Sequence, residues 1–500
     1  MTCIPFDDLL ARVRQARTRA GKPEIRTDSR KVGRGDVFVA VPGVAANGGA
    51  GVDGADFISK AWAAGAWAVV CLPGRVDAAL ADAPQGAVVA AHDDPRAAIG
   101  LLGQARHGTD ALSFPVVAVT GTNGKTTITY LLEHVFSALG RRAGVLGTVS
   151  YRWPGFAMDA PLTTPDCIET HAMLARMEAA GVDVALMEVS SHALDQRRVA
   201  GIRFAGAILT NLTQDHLDYH GDMEHYYAAK ARLFTELPDA DKACAVNADD
   251  AWGRRLLGEV PHAIGFGLDA ANAVPGRKFL LGEMVRNATS GLTLRMTFEG
   301  RQWELSSHLV GAHNASNLLA VQAVCLGLGL GLAPQDFASL ADFTGVPGRL
   351  ERIVNPQELD IFVDYAHTPD ALENVLRALR AVGFARIVTV FGCGGNRDRT
   401  KRPLMGQAVA RYADVAVLTS DNPRHEDPQA IMADVLPGLA GAREVVSDPD
   451  RAQAIGKALA LLQPGDVLLV AGKGHESYQQ IGDRKVPYSD QQVIREILGC

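Results

Sequence analysis

A strand, a glycine-rich turn and a helix follow one another within residues 115–140, and this succession constrains the fold most. Residues 115–120 (PVVAVT) form an apolar run typical of a buried strand. The turn GTNGKTT follows directly, and then the helical run ITYLLEHVFSALG, which ends at Gly140. Strand, glycine turn and helix open a βαβ unit. With further buried strands at 182–187 and 206–210, they predict a doubly wound α/β domain.

The turn at residues 121–127 has the composition of a phosphate-binding loop. Its consecutive backbone N–H groups and the amino terminus of the following helix would form an anion nest. Lys125 supplies a positive charge, and Thr126 supplies a hydroxyl suited to magnesium. The motif is not a complete GxxxxGK[ST], because Val119 stands where the first glycine would be. Alone it could be an ordinary turn before a helix, but its place after a strand favours a phosphate site.

Two further polar segments follow buried strands of this domain. They are MEVSSHA at 187–193 and NLTQDHLDYH at 211–220. Open α/β sheets bind ligands at the carboxyl ends of their strands, which makes Glu188 a candidate ligand residue. Oxygen donors with few histidines favour magnesium over zinc. Taken singly, each of these charges is equally compatible with a solvated loop.

The length of 500 residues predicts about three domains. We place an N-terminal α/β domain at 1–111, a central P-loop-type α/β domain at 112–345 and a C-terminal Rossmann-like α/β domain at 346–500. The second boundary coincides with the stretch TGVPG at 344–348. Strand-like runs at 361–363, 386–391, 415–419 and 467–471 alternate with helical segments in the third domain.

Charge and apolar patterning exclude several classes of protein. The net charge of −7, from 49 basic and 56 acidic residues, gives no general attraction to nucleic acid or anionic lipid. No window offers about 20 apolar residues without charge, so membrane insertion is not expected. The 7 cysteines are dispersed and form no CxxC pair, which disfavours a disulfide framework or a zinc cluster. A cytoplasmic monomer is expected.

Three polar loops follow strands of the expected third domain. They are FGCGGNRDR at 391–399, SDNPR at 420–424 and AGKGHE at 471–476. The first is not GxGxxG, so no dinucleotide site is predicted. An arginine with a nearby glutamate suits a zwitterionic amino acid, with Arg424 for a carboxylate and Glu476 for an ammonium group. The alternative is a surface ion pair, typically worth under ~1 kcal/mol.

Six motifs occur in an order that resembles the Mur ligases. They are GTNGKTT, MEVSSHALDQRR, NLTQDHLDYHG, HNASN at 313–317, DYAHTPDALE at 364–373 and AGKGHE. The resemblance extends from about Thr27 to the end of the chain. It implies a UDP-binding first domain, a central ATPase domain and a third domain that binds the incoming amino acid. The implied reaction is ATP-dependent amide-bond formation on a nucleotide-linked cell-wall precursor, through an acyl phosphate and with two magnesium ions.

The resemblance also implies residues for the nucleotide and the metal ions. ATP would be bound by Gly121, Thr122, Asn123, Gly124, Lys125, Thr126, Thr127, Asn314, Arg349 and Asp364. Magnesium would be held by Thr126, Glu188, His216 and Lys230, the last as a carbamate. The catalytic residues would be Lys125, Glu188, His216 and Lys230. Without the resemblance, Lys230 is simply a surface lysine on the helical run YYAAKARLF at 226–234.

Two further residue sets follow from the resemblance. A UDP-N-acetylmuramoyl-L-Ala-D-Glu substrate would contact Ser29, Thr163, Thr164, Ser190, Gln196 and Arg198. A meso-diaminopimelate substrate would contact Arg397, Asp421, Asn422, Pro423, Arg424, Gly472 and Glu476. The loop at 44–52 (VAANGGAGV) lacks the polar pair expected to meet the uracil.

The incoming amino acid separates the members of this family. DNPR at 421–424 resembles the diaminopimelate-adding members, since a guanidinium group fits the distal carboxylate that lysine lacks. Ligation of a different amino acid is one alternative. A ligase similar to folylpolyglutamate synthase is a second, and a nucleotide-dependent switch protein, from another functional class, is a third.

Overall fold

The computed structural model describes residues 2–16, 23–43, 52–236, 242–288, 291–329 and 333–500. Residues 44–51 of the loop expected near the uracil lie outside these ranges. Within them, no helix combines the length and the apolar character needed to cross a membrane.

The first sheet is parallel throughout and has the strand order β1-β5-β4-β3-β2. Its elements are β1 (Thr2–Ile4), α1 (Phe6–Ala16), β2 (Ile25–Arg26), β3 (Val37–Val39), α2 (Ile58–Ala63), β4 (Ala68–Cys71), α3 (Val76–Ala81), β5 (Val88–Ala91) and α4 (Pro95–His107). Val37 and Val39 of β3 share a buried cluster with α1 and α4, whereas Phe38 packs with α2. The strands are apolar at successive positions because both faces of the sheet are covered.

The second sheet has eleven strands in the order β16-β15-β14-β13-β12-β11-β6-β10-β7-β8-β9. Its strands are β6 (Val116–Thr120), β7 (Ala143–Leu146), β8 (Ser150–Trp153), β9 (Phe156–Asp159), β10 (Val184–Glu188), β11 (Gly206–Leu209), β12 (Ala243–Asn247), β13 (Ile264–Gly267), β14 (Phe279–Ala288), β15 (Gly291–Phe298) and β16 (Arg301–Ser307). Its helices are α5 (Lys125–Ala138), α6 (Cys167–Ala179), α7 (Ser191–Asp195), α8 (Leu217–His220), α9 (Met223–Thr235), α10 (Ala251–Glu259) and α11 (Ala312–Gly327).

Strand β6 lies inside the parallel part of the sheet, with β10 and β7 on one side and β11 to β14 on the other. This arrangement agrees with the predicted doubly wound α/β domain. Antiparallel strands extend this sheet at both ends, which the sequence reasoning did not predict. In β15, Leu292, Leu294 and Met296 are buried while Arg295 between them is exposed. This period of two is typical of a sheet with one solvated face.

The third sheet has the order β17-β18-β22-β19-β20-β21, parallel except at β17. Its elements are β17 (Glu351–Arg352), β18 (Asp360–Asp364), α12 (Pro369–Val382), β19 (Ile387–Phe391), α13 (Lys401–Tyr412), β20 (Val415–Leu418), α14 (Pro428–Val435), β21 (Glu444–Ser447), α15 (Arg451–Ala460), β22 (Val467–Ala471), the hairpin β23 (Tyr478–Ile481) and β24 (Arg484–Pro487), and α16 (Asp490–Leu498). The expectation of an α/β fold built on three such units is confirmed, while the boundaries at 111 and 345 stay predictions.

Helices α4 and α6 pack closely where the first sheet unit meets the second. A Cβ atom at Gly100 would lie 2.3 Å from the carbonyl oxygen of Ala200, and one at Gly103 would lie 2.5 Å from the ring of His171. Both ring nitrogens of His171 have partners, Thr109 Oγ1 at 2.6 Å and Ala200 O at 2.9 Å. Burial lowers the pKa of His171 to about 4, so the ring is neutral in this contact.

A fully buried ion pair joins α15 to α16. Arg451 Nε donates to Asp490 Oδ1 and Arg451 Nη2 to Asp490 Oδ2, each at 2.7 Å, and both side chains are 0% exposed. In Arg451→Leu the carboxylate would remain buried without its partner. We expect the free energy of unfolding, measured by urea denaturation, to fall by about 3–5 kcal/mol. Lys457→Leu on the exposed face of α15 is the control, and an equally large fall there would contradict this explanation.

Candidate active site

The turn between β6 and α5 can form only because two of its residues are glycines. Gly121 has φ +141° and Gly124 has φ +88°. A Cβ atom at Gly121 would lie 1.8 Å from Thr210 Oγ1, and one at Gly124 would lie 2.6 Å from Asn317 Oδ1. Any side chain would therefore push the turn away from β11 or from α11.

The amides of the turn are held by the segment that follows β11. Thr122 N donates to Asn211 O at 2.8 Å, and Asn123 N donates to the side-chain oxygen Asn211 Oδ1 at 3.1 Å. Thr122 Oγ1 lies 3.0 Å from Tyr226 OH and accepts a hydrogen bond from Thr213 N at 3.0 Å. The segment 211–220 thus orients the phosphate-binding turn.

Lys125, the first residue of α5, points its ammonium group back over the turn. Its Nζ donates to Gly121 O and Thr122 O, both at 2.9 Å. Desolvation lowers the pKa of Lys125, while the charges of Glu188 and Asp215 act in the opposite direction. A phosphate oxygen bound at the turn could replace these carbonyls as the acceptor for Nζ without a large movement of the side chain.

Glu188 ends β10 and is buried beside the turn. Its Oε2 accepts hydrogen bonds from Thr126 Oγ1 at 3.0 Å and from Thr148 Oγ1 at 2.8 Å, and its Oε1 accepts one from Thr148 N at 3.0 Å. Three donors on one carboxylate fix its orientation beside the turn. The prediction that Glu188 lies at the carboxyl end of its strand, near the phosphate turn, agrees with this geometry.

Lys230 is buried in α9, so the interpretation of it as a surface lysine is wrong. Its Nζ donates to Gly121 O at 2.9 Å and lies 4.8 Å from the centre of the Tyr226 ring. Desolvation and then the charge of Lys125 lower the pKa of Lys230 well below its ordinary value, and Asp215 opposes them. The helical periodicity of the sequence already placed position 230 on the buried face of α9. The interpretation as a surface residue relied instead on the charged side chain of lysine.

The oxygen-bearing side chains beside the turn are of the type that binds magnesium. Thr126 and Glu188 offer a hydroxyl and a carboxylate, the hard oxygen ligands that this ion prefers. His216 caps α8 at φ +54° and is exposed, and its ring centre lies 4.8 Å from that of His192 and 6.5 Å from that of Tyr226. Within the described ranges, no group of three or more His, Cys, Asp or Glu side chains forms a ready metal site. The hydroxyl of Thr126 and a modified Lys230 would have to complete the ligand set.

Two of the residues assigned to ATP lie behind or beside the turn. Asn314 Oδ1 accepts a hydrogen bond from Asn317 Nδ2 at 3.1 Å, and Asn317 is the residue that crowds Gly124. The guanidinium of Arg349 lies 4.8 Å from the ring centre of Tyr365, and its buried Nε has no hydrogen-bond partner among the described residues. Arg349 is therefore available to an anionic ligand.

Asp364 ends β18 and holds the chain that enters the third sheet. It accepts hydrogen bonds from Leu350 N at 2.6 Å and from Ala366 N at 2.7 Å. Burial raises the pKa of Asp364, although Arg349 and these two N–H groups lower it. The carboxylate thereby orients the segment that carries Arg349.

Residues assigned to the muramoyl dipeptide gather next to Glu188. Thr164 Oγ1 donates to Glu188 O at 2.8 Å and accepts from Ser190 N at 3.1 Å, and Thr163 Oγ1 lies 3.2 Å from Thr148 Oγ1. Arg198 donates from Nη1 to Thr164 O at 3.2 Å and from Nη2 to Gln196 Oε1 at 2.7 Å. Ser29 lies elsewhere, in the short turn Ser29–Lys31 of the first sheet unit.

A second polar pocket forms at the carboxyl ends of β19, β20 and β22. Asn422 Nδ2 donates to Glu476 Oε2 at 2.9 Å, and Arg424, at φ +52°, donates from Nη1 to Gly395 O at 2.8 Å. Asp421 Oδ2 is buried without a hydrogen-bond partner in the described structure, and a Cβ at Gly472 would lie 2.6 Å from it.

The loop after β19 brings Arg397 to the same pocket. A Cβ at Gly394 would lie 2.9 Å from Arg424 Nη1 and 3.6 Å from Arg397 Cγ, and Arg397 is exposed. A Cβ at Gly395 would lie 1.9 Å from Pro423 O. The loops 391–399, 420–424 and 471–476 therefore meet, because the strands that they follow are neighbours in one parallel sheet.

Four residues that the sequence reasoning passed over contribute to these sites. Thr148 holds Glu188, Asn211 holds the turn and Lys473 bonds to Glu476. Asp370, in the first turn of α12, accepts hydrogen bonds from Asn123 Nδ2 at 3.4 Å and Thr213 Oγ1 at 3.1 Å. Asn211, Asp370 and Lys473 lay within quoted motifs, whereas Thr148 did not.

The structure is that of an α/β protein with a glycine turn after the central strand β6 of its second sheet and a separate cluster of charged loops in its third sheet unit. A model of the Mur ligase middle domain matches residues 119–325, and one of the Mur ligase glutamate ligase domain matches residues 348–474. The chain belongs to the Mur ligase family.

Individual relatives agree with this assignment. UDP-N-acetylmuramoyl-L-alanyl-D-glutamate–2,6-diaminopimelate ligase of Lawsonia intracellularis is 58% identical over 95% of this chain and 95% of its own. A solved structure of a ligase with that name is 32% identical, with a TM-score of 0.67 over 95% of this chain and 94% of its own. Folylpolyglutamate synthase of Mycobacterium tuberculosis has a TM-score of 0.61 at 20% identity over 81% of this chain and 95% of its own, which shows a common fold alone.

Proposed function

We propose that the protein joins meso-diaminopimelate to the D-glutamyl residue of UDP-N-acetylmuramoyl-L-alanyl-D-glutamate, with conversion of ATP to ADP and phosphate. This step belongs to peptidoglycan precursor synthesis. The observation that carries the proposal is the pairing of two sites, the phosphate turn with Lys125 and Glu188, and the charged pocket with Arg424 and Glu476. The name of the relative that is 58% identical supports the choice of both substrates.

The first step activates a carboxylate, which is a poor electrophile at neutral pH. An oxygen of the D-glutamyl side chain forms a bond to the γ-phosphorus, the bond from that phosphorus to the β,γ-bridging oxygen breaks, and ADP leaves. The transferring group is anionic, so catalysis depends on positioning and charge stabilisation. Lys125 supplies positive charge, and the amides at the amino terminus of α5 supply hydrogen-bond donors.

The second step forms the amide. The amine of diaminopimelate bonds to the acyl carbon, the carbon–oxygen bond to phosphate breaks, and the amine proton is lost to solvent. Thr163, Thr164 and Arg198 lie beside Glu188, close enough to the turn for a bound dipeptide to present its carboxylate there. Arg424 and Glu476 would orient the amino acid by its carboxylate and ammonium groups.

Magnesium ions, expected to be two, would neutralise charge on the phosphoryl oxygens when held by Thr126, Glu188, His216 and the carbamate of Lys230. The buried environment favours that modification, because a lowered pKa increases the fraction of Lys230 that is a neutral, nucleophilic amine. The neutral nitrogen bonds to the carbon of CO2 and loses one proton, which converts the amine into an anionic carbamate.

We also propose that the third sheet unit closes over ATP about residues 344–348. Asp370 of α12 already contacts Asn123 of the phosphate turn, which supports an approach of these two surfaces. ATP and the uridine-linked precursor are cytoplasmic small molecules, so the cytoplasm is the proposed location. A monomeric state stays a prediction, to be measured by light scattering after gel filtration.

A single assay separates this proposal from its alternatives. ADP release is measured with ATP alone, with the muramoyl dipeptide added, and with both the dipeptide and diaminopimelate. We expect full turnover only with both acceptors, together with a new product heavier by one diaminopimelate residue. Release without either acceptor would favour a switch protein, and turnover with a folate acceptor would favour the folylpolyglutamate reaction.

Arg424→Ala tests the assignment of the amino-acid pocket. Loss of a charge-assisted hydrogen bond to the substrate should raise the KM for diaminopimelate by about tenfold to a hundredfold, with little change in the KM for ATP. Arg399→Ala is the matched control, because Arg399 lies in the neighbouring loop and is paired with Asp434 at 2.9 Å. Equal changes in both KM values would place the selectivity elsewhere.

A further inference from the structure

Lys473 is a buried cation beside the amino-acid pocket. It follows Gly472 at the end of β22, and its side chain is 0% exposed. Its Nζ donates to Asn422 Oδ1 and to Glu476 Oε2, each at 3.0 Å. Because Asn422 Nδ2 donates to the same Oε2 at 2.9 Å, Lys473, Asn422 and Glu476 form a closed hydrogen-bonded triangle.

The triangle decides which atoms are left for a ligand. Asn422 Oδ1 also accepts from Gln480 N at 2.9 Å, so two donors occupy this oxygen and settle the orientation of the amide. Glu476 Oε2 has two donors, whereas no described residue donates to its Oε1. One N–H of Asn422 and one carboxylate oxygen of Glu476 remain, which suit the carboxylate and the ammonium group of an amino acid.

We infer that Lys473 is a positioning residue that holds Asn422 and Glu476. It also determines specificity, because its positive charge disfavours the binding of a cationic amino acid in the pocket. This inference rests on the proposed function. Diaminopimelate has two ammonium and two carboxylate groups at neutral pH, whereas lysine has two ammonium groups and one carboxylate. Lys473 offsets the charge of Glu476, so a ligand with a net positive charge gains less from entering the pocket.

Lys473→Met removes this charge while keeping most of the side-chain volume. The measured quantity is the ratio of kcat/KM for meso-diaminopimelate to kcat/KM for L-lysine, with the KM for ATP determined in parallel. We expect the ratio to fall by about tenfold or more, because the change favours the cationic substrate. The KM for ATP should stay within about twofold, since Lys473 bonds to Asn422 and Glu476, neither of which is assigned to ATP.

Lys485→Met is the matched control. Lys473 Nζ lies 5.8 Å and Lys485 Nζ 4.0 Å from the centre of the Tyr478 ring. The side chain of Lys485 is exposed on β24, where solvent screens its charge. Lys473→Met/Glu476→Gln removes one charge of each sign, and its ratio should return toward that of the unaltered protein. If the methionine variant does not fold, Lys473→Gln should show the same fall in ratio.

Two outcomes would overturn the inference, and they are distinguishable. An unchanged ratio in folded Lys473→Met or Lys473→Gln, or equal losses for both amino acids, contradicts the role of Lys473 alone. Absence of peptide product with either amino acid in the unaltered protein contradicts the proposed function, and the inference with it.

Discussion

Replacement of Lys125 by alanine is expected to abolish ADP release, with a fall in kcat of about a thousandfold or more. The Nζ of Lys125 already bonds to two carbonyls of the phosphate turn, within reach of a phosphate oxygen placed in the nest. Its charge would stabilise negative charge on the transferring phosphoryl group in a site shielded from water, where such an interaction is strong. The measurement is a coupled assay of ADP with all three substrates present.

The same variant should keep its fold. Lys125 is the first residue of α5, and among the described residues its side chain bonds to the turn alone, so the apolar face of the helix is untouched. Thermal unfolding should shift by a few degrees at most. Lys457→Ala, at an exposed ion pair of α15, is the control for a general effect of losing a lysine. Normal turnover by Lys125→Ala would remove the phosphate turn from the mechanism.

Lys230→Ala is expected to be nearly inactive and to regain part of its activity when formate or acetate is added. Removal of the side chain leaves a buried space beside Gly121, and a small carboxylate entering that space can replace the oxygens of the carbamate. An intact-mass measurement of the unaltered protein, under CO2 and without heating, should also detect the added carbamate. Restoration should depend on the size of the acid, because the space is limited by Tyr226.

Lys242→Ala is a matched control for the rescue. Lys242 is likewise buried and donates to a backbone carbonyl, that of Leu233 at 3.1 Å, but it directly precedes β12 and bonds to the last turn of α9 instead of to Gly121. Its loss should lower stability without creating a dependence on added carboxylic acids. Full activity of Lys230→Ala without any acid would refute the carbamate, and loss of activity without rescue would reduce Lys230 to a structural role.

The strand-end motifs show how much of the site was predictable. Parallel strands end at one edge of a sheet, so Glu188 after β10 and Asn211 after β11 had to lie near the turn that follows β6. For the same reason Asn422, which follows β20, and Glu476, which follows β22, lie close together. These contacts depend on strand direction, which the alternation of apolar runs and helical segments indicates, and on strand order, which only the structure gives.

Contacts made across the fold were not predictable in this way. Asp370 reaches Asn123 across 247 positions of sequence, and Thr148 reaches Glu188 across 40. Such pairs are decided by how sheets and helices pack, and one sequence carries no direct signal for them. The residue type of Lys230 suggested exposure, but tertiary packing placed it beside Gly121 and changed its chemistry.

By itself, the sequence determined the α/β class, the phosphate turn and the polar loops after each strand, because these follow from local periodicity and from the conformations that glycine permits. Only the tertiary structure decided which atoms of those loops are already bonded to one another and which are left for ligands. Lys473 is the clearest case, since its bond to Asn422, 51 positions away, and its complete burial arise from packing between segments that are distant in the chain.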